Sequence, residues 1–206
     1  MKTLKKSVVW AGVFILPFFL LFLNLKLVMI QDSFYAEQHL KNHVYDQFGK
    51  EIADAETQHL LDYLQYGTPL ATTFFNEKEK SHMSDVRSLY QKVSWIWYGI
   101  TIILLLAVMM LDKKDRSILL IGGSLLALIL IGALYVMSLS DFSSYFTKFH
   151  EIFFANNHWM LNPETDHLIM LFPEQFFRAF VLSIIKNTAI IAGLIGAMGI
   201  IEISIT

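Results

Sequence analysis

The chain has 206 residues, 55% of them hydrophobic and 17% charged, with a formal net charge of −2 and a mean hydropathy of +0.49. Apolar runs as long as those here are foreign to a soluble core, and the near-neutral balance without any Arg/Lys-rich run gives no nucleic-acid partner. The absence of cysteine excludes disulfides, thiolate nucleophiles and cysteine-ligated metals.

A bilayer core requires ~20 apolar residues in helix, and four stretches meet that demand. Residues 1–6 carry Lys2, Lys5 and Lys6, and the first span follows over 7–30 with Pro17 inside it. It is too long for a secretory h-region and ends in Asn24, Lys26 and Met29 without a small-residue cleavage pattern, so it reads as an uncleaved anchor. Residues 93–111 form the second span and 117–139 the third. The tight turn between them, 112–116, is crowded by Lys113, Lys114 and Arg116. The fourth span, 179–201, contains Lys186 and Asn187, and residues 202–206 end the chain. Lysine and arginine in short segments mark the cytoplasmic side, so both termini and the 112–116 turn are expected in the cytoplasm. Segments 31–92 and 140–178 are then external. Close packing of the fourth helix is expected through Ala189, Ala192, Gly193, Gly196 and Gly199.

The first external segment reads as helical. A helix is predicted over 33–48, ended by Gly49, and a second is capped by Asp54 and stopped at Gly67–Pro69. A third runs from about Ser81 into the second span, with Asp85, Arg87 and Gln91 on its polar side and Trp95, Trp97 and Tyr98 at headgroup level. The second external segment is dense in aromatics. In it Asn162–Pro163 is expected to start a short helix that Phe172–Pro173 breaks. The fold class is therefore an all-α integral membrane protein, four transmembrane helices with a mostly helical extracellular cap.

All seven histidines fall in the external segments. His39 and His43 stand at a helical i,i+4 spacing that suits a metal, but the glutamate of a metalloprotease motif is missing between them. His59 reads as a solvated helix residue, and His158 and His167 read as surface histidines, with a substrate-facing place as the alternative. His82 and His150 differ. His82 has Asp85 one turn away to orient its ring, and His150 sits within Phe149-His150-Glu151-Ile152-Phe153-Phe154. A titratable ring in an aromatic setting near the membrane surface is unusual unless used, the alternative being a buried histidine with its hydrogen bond satisfied. No phosphate-binding loop, dinucleotide turn or nucleophile elbow occurs, so an enzyme here is expected to work without nucleotide, cofactor or metal.

The run Phe149-His150-x-x-Phe153-Phe154, Asn157-x-Trp159, Pro163-x-x-Asp166-x-Leu168-Ile169-x-x-Phe172-Pro173-x-x-Phe176-Phe177 resembles the bacterial lipoprotein intramolecular transacylase (Lit) family. So does His82-Met83-x-Asp85-Val86-Arg87-x-Leu89, and Phe34-Tyr35 and Leu61-x-Tyr63-Leu64 fit its cap. His158 matches no position of that pattern. The resemblance implies a multi-pass protein of the bacterial cell membrane that acts on diacylglyceryl-modified lipoproteins amid membrane lipid. It would move an acyl chain from the sn-2 glyceryl oxygen to the α-amine of the N-terminal cysteine, giving the lyso-form. It implies catalysis by His82 and His150. Asp85, Arg87, Phe149, Phe153, Phe154, Trp159 and Asp166 are expected to bind substrate or position the rings, at the junction of cap and membrane. A monomer is expected.

Two other readings stand beside it. A non-catalytic membrane subunit with the cap as docking surface would leave His82 and His150 far apart. A metal-dependent membrane hydrolase would use His39, His43 and a further ligand.

Overall fold

The computed structural model describes residues 2–205; Met1 and Thr206, the ends of the two segments expected in the cytoplasm, lie outside the described residues. The described residues form helices α1 (Lys2–Met29), α2 (Asp32–Lys41), α3 (Val44–Phe48), α4 (Lys50–Tyr66), α5 (Glu77–Met110), α6 (Lys113–Ser140), α7 (Phe142–Phe153), α8 (His167–Leu171) and α9 (Glu174–Ser204). Among them α1, α5, α6 and α9 are long and apolar enough to cross a membrane. The chain divides into two compact units: one of residues up to Leu27, Val93–Leu139 and from Leu182 onward, the other of Val28–Lys92 and Ser140–Val181.

The first unit is held by small residues that let helices approach, since lipid supplies no hydrophobic drive between them. A Cβ on Gly12 would stand 2.2 Å from Leu119, and one on Gly123 would stand 2.7 Å from Leu16, so α1 and α6 touch where neither has room for more. Gly199 packs on Ile121 and the Ser117 carbonyl, Gly196 on Ser124, and Ala192 is fully buried. Gly193 departs from the expected contact strip: it is exposed with nothing near it, because it stands one residue round the helix from Ala192. Several polar side chains inside the unit are paired, while Ser124 Oγ and Asn24 Oδ1 are buried without a partner. Asn24 Nδ2 donates to the Leu20 carbonyl and to Thr188 Oγ1, Lys26 donates to Ser94 Oγ, and Arg116 grips the Glu202 carboxylate with two nitrogens.

The second unit corrects several expected boundaries. The helix predicted over 33–48 breaks at Asn42, whose side chain donates 2.8 Å back to the Gln38 carbonyl and so competes with helix continuation. His43 then takes a left-handed φ of 59° and pairs on the surface with Asp46. His39 and His43 therefore do not share a helix face, and no group of metal-holding side chains occurs among the described residues. Asp54 is not a cap. The helix starts earlier, at Lys50, and Asp54 lies within it, taking the Tyr45 hydroxyl and the Lys50 ammonium. Gly67 ends that helix in the left-handed conformation. Residues 163–165 form turns rather than a helix, and the short helix begins at His167 instead.

The core of this unit is aromatic: Phe34, Tyr35, Phe172 and Phe176 meet at ring distances of 5.0–6.5 Å. His39 lies among them, 1% exposed, with Nε2 sharing a 2.8 Å hydrogen bond with Thr57 Oγ1 and Nδ1 buried without a partner. Burial holds its pKa below the usual histidine value, with Asp54 opposing weakly. An imidazole harder to protonate when folded gives stability that is full above the unfolded pKa of ~6.5 and drains as pH falls toward the folded value. The unfolding midpoint should therefore fall on acidification from about 7 to about 5, and His39→Gln should reduce that fall. Thermal denaturation across this range reads both.

Candidate active site

His82 stands on the second turn of α5 and His150 on the last turn of α7, 7% and 8% exposed. Their rings lie 5.8 Å apart, inclined at 38°. Phe154 presents itself to both, 5.1 Å from His82 and 5.5 Å from His150. The chain can deliver it there because α7 ends at Phe153 and Phe154 is extended, turning the backbone across the pair. Phe146 stands edge-on to His150 at 4.4 Å, Trp159 lies 5.1 Å away and Phe149 5.5 Å away. Phe153 packs on Phe149 at 4.8 Å and makes no ring contact with either histidine.

The two imidazoles are held differently. His150 Nδ1–H donates to the Phe146 carbonyl one turn back, at 2.7 Å. That carbonyl cannot donate, so the proton sits on Nδ1 and Nε2 carries the lone pair. Among the described residues the His82 ring makes no hydrogen bond, and its Nδ1 is buried without a partner. It precedes the apolar stretch that opens at Val93 by about three helical turns. Burial first, and the neighbouring His150 second, depress its pKa to about 4, Asp85 opposing and His158 adding slightly. Burial also lowers His150, with the Phe146 carbonyl working against it.

The expected carboxylates do not touch these rings. Asp85 accepts from Asn156 Nδ2 at 2.8 Å, and Asn156 Oδ1 accepts from the His158 amide at 2.9 Å. Asp85 thus anchors the turn between Phe154 and Trp159 to α5. Arg87 donates its Nε–H to the Tyr63 carbonyl at 2.9 Å and closes the end of α4. Asp166 accepts from Asn76 Nδ2 at 2.9 Å and from the Asn162 amide at 2.8 Å, the latter being the main cause of its lowered pKa. His158, exposed, shares a 2.8 Å hydrogen bond with Ser81 Oγ.

Sequence reasoning passed over Glu79 and Asn76. Glu79 is 1% exposed and accepts from the Leu168 amide at 2.5 Å and the Asn76 amide at 2.6 Å, while Asn76 Oδ1 accepts from the Glu79 amide. This is a capping box, and Asn76-x-x-Glu79 is its sequence signature. Asn156 carries no comparable signal.

A family model described as lipoprotein intramolecular transacylase Lit matches residues 10–177. The chain belongs to the Lit family. It is thus a lipoprotein intramolecular transacylase, an acyltransferase, integral to the membrane. The fold agrees. A structure of the membrane-integral Lit of Bacillus cereus superposes with a TM-score of 0.91 at 21% identity, covering 99% of this chain and 98% of that one. Two further structures of the B. cereus protein, each with a histidine replaced, by alanine or by arginine, give TM-scores of 0.85 and 0.84 at 20% identity. They cover 98% of this chain and 95% and 93% of theirs. No curated protein matches the sequence.

Glu79→Ala would strand the amide of buried Leu168, a loss of ~1–3 kcal/mol, and would remove the cap from the amide of Asn76, an exposed residue that water can serve instead. Chemical denaturation should show that destabilisation, whereas Glu77→Ala, an exposed neighbour, should be near neutral.

Proposed function

We propose that His82 and His150 are the catalytic groups that carry the acyl chain from the sn-2 glyceryl oxygen to the α-amine of the lipoprotein's N-terminal cysteine. The observation that carries this reading is the meeting of the two imidazoles inside one aromatic enclosure, 5.8 Å apart. The non-catalytic reading required them to be distant. Determination of B. cereus Lit structures with a substituted histidine is in keeping with it.

The tautomer and the pKa directions divide the labour. His150, with Nδ1–H committed to Phe146, offers its Nε2 lone pair as base. His82 at about 4 is too weak a base for an amine near ~8, since that gap costs ~5 kcal/mol. Kept neutral, it is suited to donating an N–H to the oxyanion. The amine nitrogen attacks the ester carbonyl, and His150 Nε2 takes its proton. The tetrahedral intermediate collapses, the C–O bond to glycerol breaks, and Nε2 returns the proton to the leaving alkoxide. The N–C bond formed replaces the O–C bond lost, so no energy source is required. Attack passes through a medium ring, whose closure the walls of Phe146, Phe154 and Trp159 favour by limiting conformers. Asp85 and Asp166 serve as positioning residues, fastening to α5 the segment that follows α7 and carries Phe154 and Trp159, and Arg87 fastens α4 to the same helix.

His82→Ala and His150→Ala should each lower transfer on a dipalmitoylglyceryl-cysteine peptide by ~10²–10⁴, with His59→Ala near wild type. Mass spectrometry of the O- and N-acylated products measures it, and folded variants that retain full activity would exclude this assignment.

The lysine placement supports cytoplasmic termini and an external position for the unit bearing the histidines, with the chain acting as a monomer among membrane lipids. A reporter fused at the C-terminus should be shielded from outside in intact cells, and external accessibility would reverse the orientation.

A further inference from the structure

Helix α7 has two apolar flanks of unequal fate. Phe146 and His150, four residues apart, face the histidine enclosure. Tyr145, Phe149, Ile152 and Phe153 recur at helical spacing on the adjoining side and are 43%, 42%, 73% and 51% exposed. Ser143, Ser144, Thr147, Lys148 and Glu151 occupy the remaining circumference, all exposed. A polar arc opposite a ring-rich exposed arc is the pattern of a helix lying in a membrane interface. Chain connectivity says where this helix starts. Asp141 alone separates it from α6, a membrane-crossing helix whose last turns expose Tyr135, Val136 and Leu139. One residue reaches ~3.6 Å at most, so α7 begins where α6 leaves the bilayer. The Asp141 side chain accepts the Ser144 amide and caps the start of α7.

We infer that α7 is an interfacial helix whose Tyr145, Phe149, Ile152 and Phe153 face is immersed in the lipid leaflet at the end of α6. Its depth is about 5–10 Å, the headgroup–acyl boundary. Phe149 then joins lipid to chemistry, its ring lying 4.8 Å from Phe153 on one side and 5.5 Å from His150 on the other. Resting on the catalytic reading above, the same helix admits the acyl chain from the leaflet beside Phe149 and presents its ester to His150. Headgroup depth is where a diacylglyceryl ester lies, so the substrate need not leave the bilayer.

The test uses the full chain in phosphatidylglycerol–phosphatidylethanolamine vesicles. Because the protein has no cysteine, Tyr145→Cys, Ile152→Cys and Glu151→Cys each give a single labelling site for a nitroxide. Power saturation should find the labels at 145 and 152 several-fold more accessible to oxygen than to an aqueous nickel chelate, with the order reversed at 151. Equal nickel accessibility at all three positions would overturn the proposal. So would labels at 145 and 152 shielded from both reagents and broadened by spin–spin coupling, the result expected if a second copy covers the face. The readout does not depend on turnover, so a failed histidine assignment would leave it unchanged.

Discussion

Imidazoles on segments as distant in sequence as those of His82 and His150 meet only if something directional pins the segments together. Apolar contact is non-directional and tolerates sliding. Two buried carboxylates provide the direction. Glu79 takes the Leu168 amide, and Asp166 takes the Asn76 side chain, so the start of α5 and the start of α8 are laced by hydrogen bonds that cross in both senses. Asp85 repeats the device one turn beyond His82, through Asn156. His82 thus lies between two polar fastenings on its own helix, and its ring needs no hydrogen bond of its own to be placed.

What the sequence made legible follows from which forces are periodic. Spanning helices announce themselves by sustained apolarity, and all four are present. The caps of short helices depend on one or two hydrogen bonds, and there the reading failed. Asp54 has the right chemistry for a cap, but Lys50 and Tyr45 claim it. Asn162 has the chemistry of a cap as well, but its backbone amide goes to Asp166 and its side-chain oxygen takes the Glu164 amide, closing a turn instead. Asn42 gave no hint that it would end α2. The capping box at Asn76 and Glu79 is the exception, since Asn76-x-x-Glu79 is legible in the sequence.

The histidine pair is legible through the family resemblance; the phenylalanines around His150 set that ring apart, but by themselves they leave a buried histidine with its hydrogen bond satisfied as the alternative. The supports of the pair are not legible, because a carboxylate close in sequence is a poor guide to its partner. Asp85 stands one turn from His82 and still bonds to Asn156, since an amide far along the chain supplies a fixed donor. Arg87 likewise looked available to substrate and instead closes α4, where the turn at Gly67 brings the guanidinium against the backbone.

Burial also explains why the chemistry suits this enclosure. An apolar surrounding penalises charge on any group placed in it, and both histidines are held neutral on that account. On the proposed assignment the same penalty would fall on the substrate's ammonium, lowering its pKa toward that of the base and supplying the neutral amine that attack requires. The oxyanion would suffer too, were it not met by a donor. On that assignment the neutral His82 N–H would meet it without bringing a charge of its own that would need solvation. With His82 and His150 in the proposed roles, the features that make the site unfavourable for ions therefore favour a reaction whose reactants and products are neutral in the transferring groups, and whose oxyanion and His150 imidazolium are transient and offset one another within one enclosure.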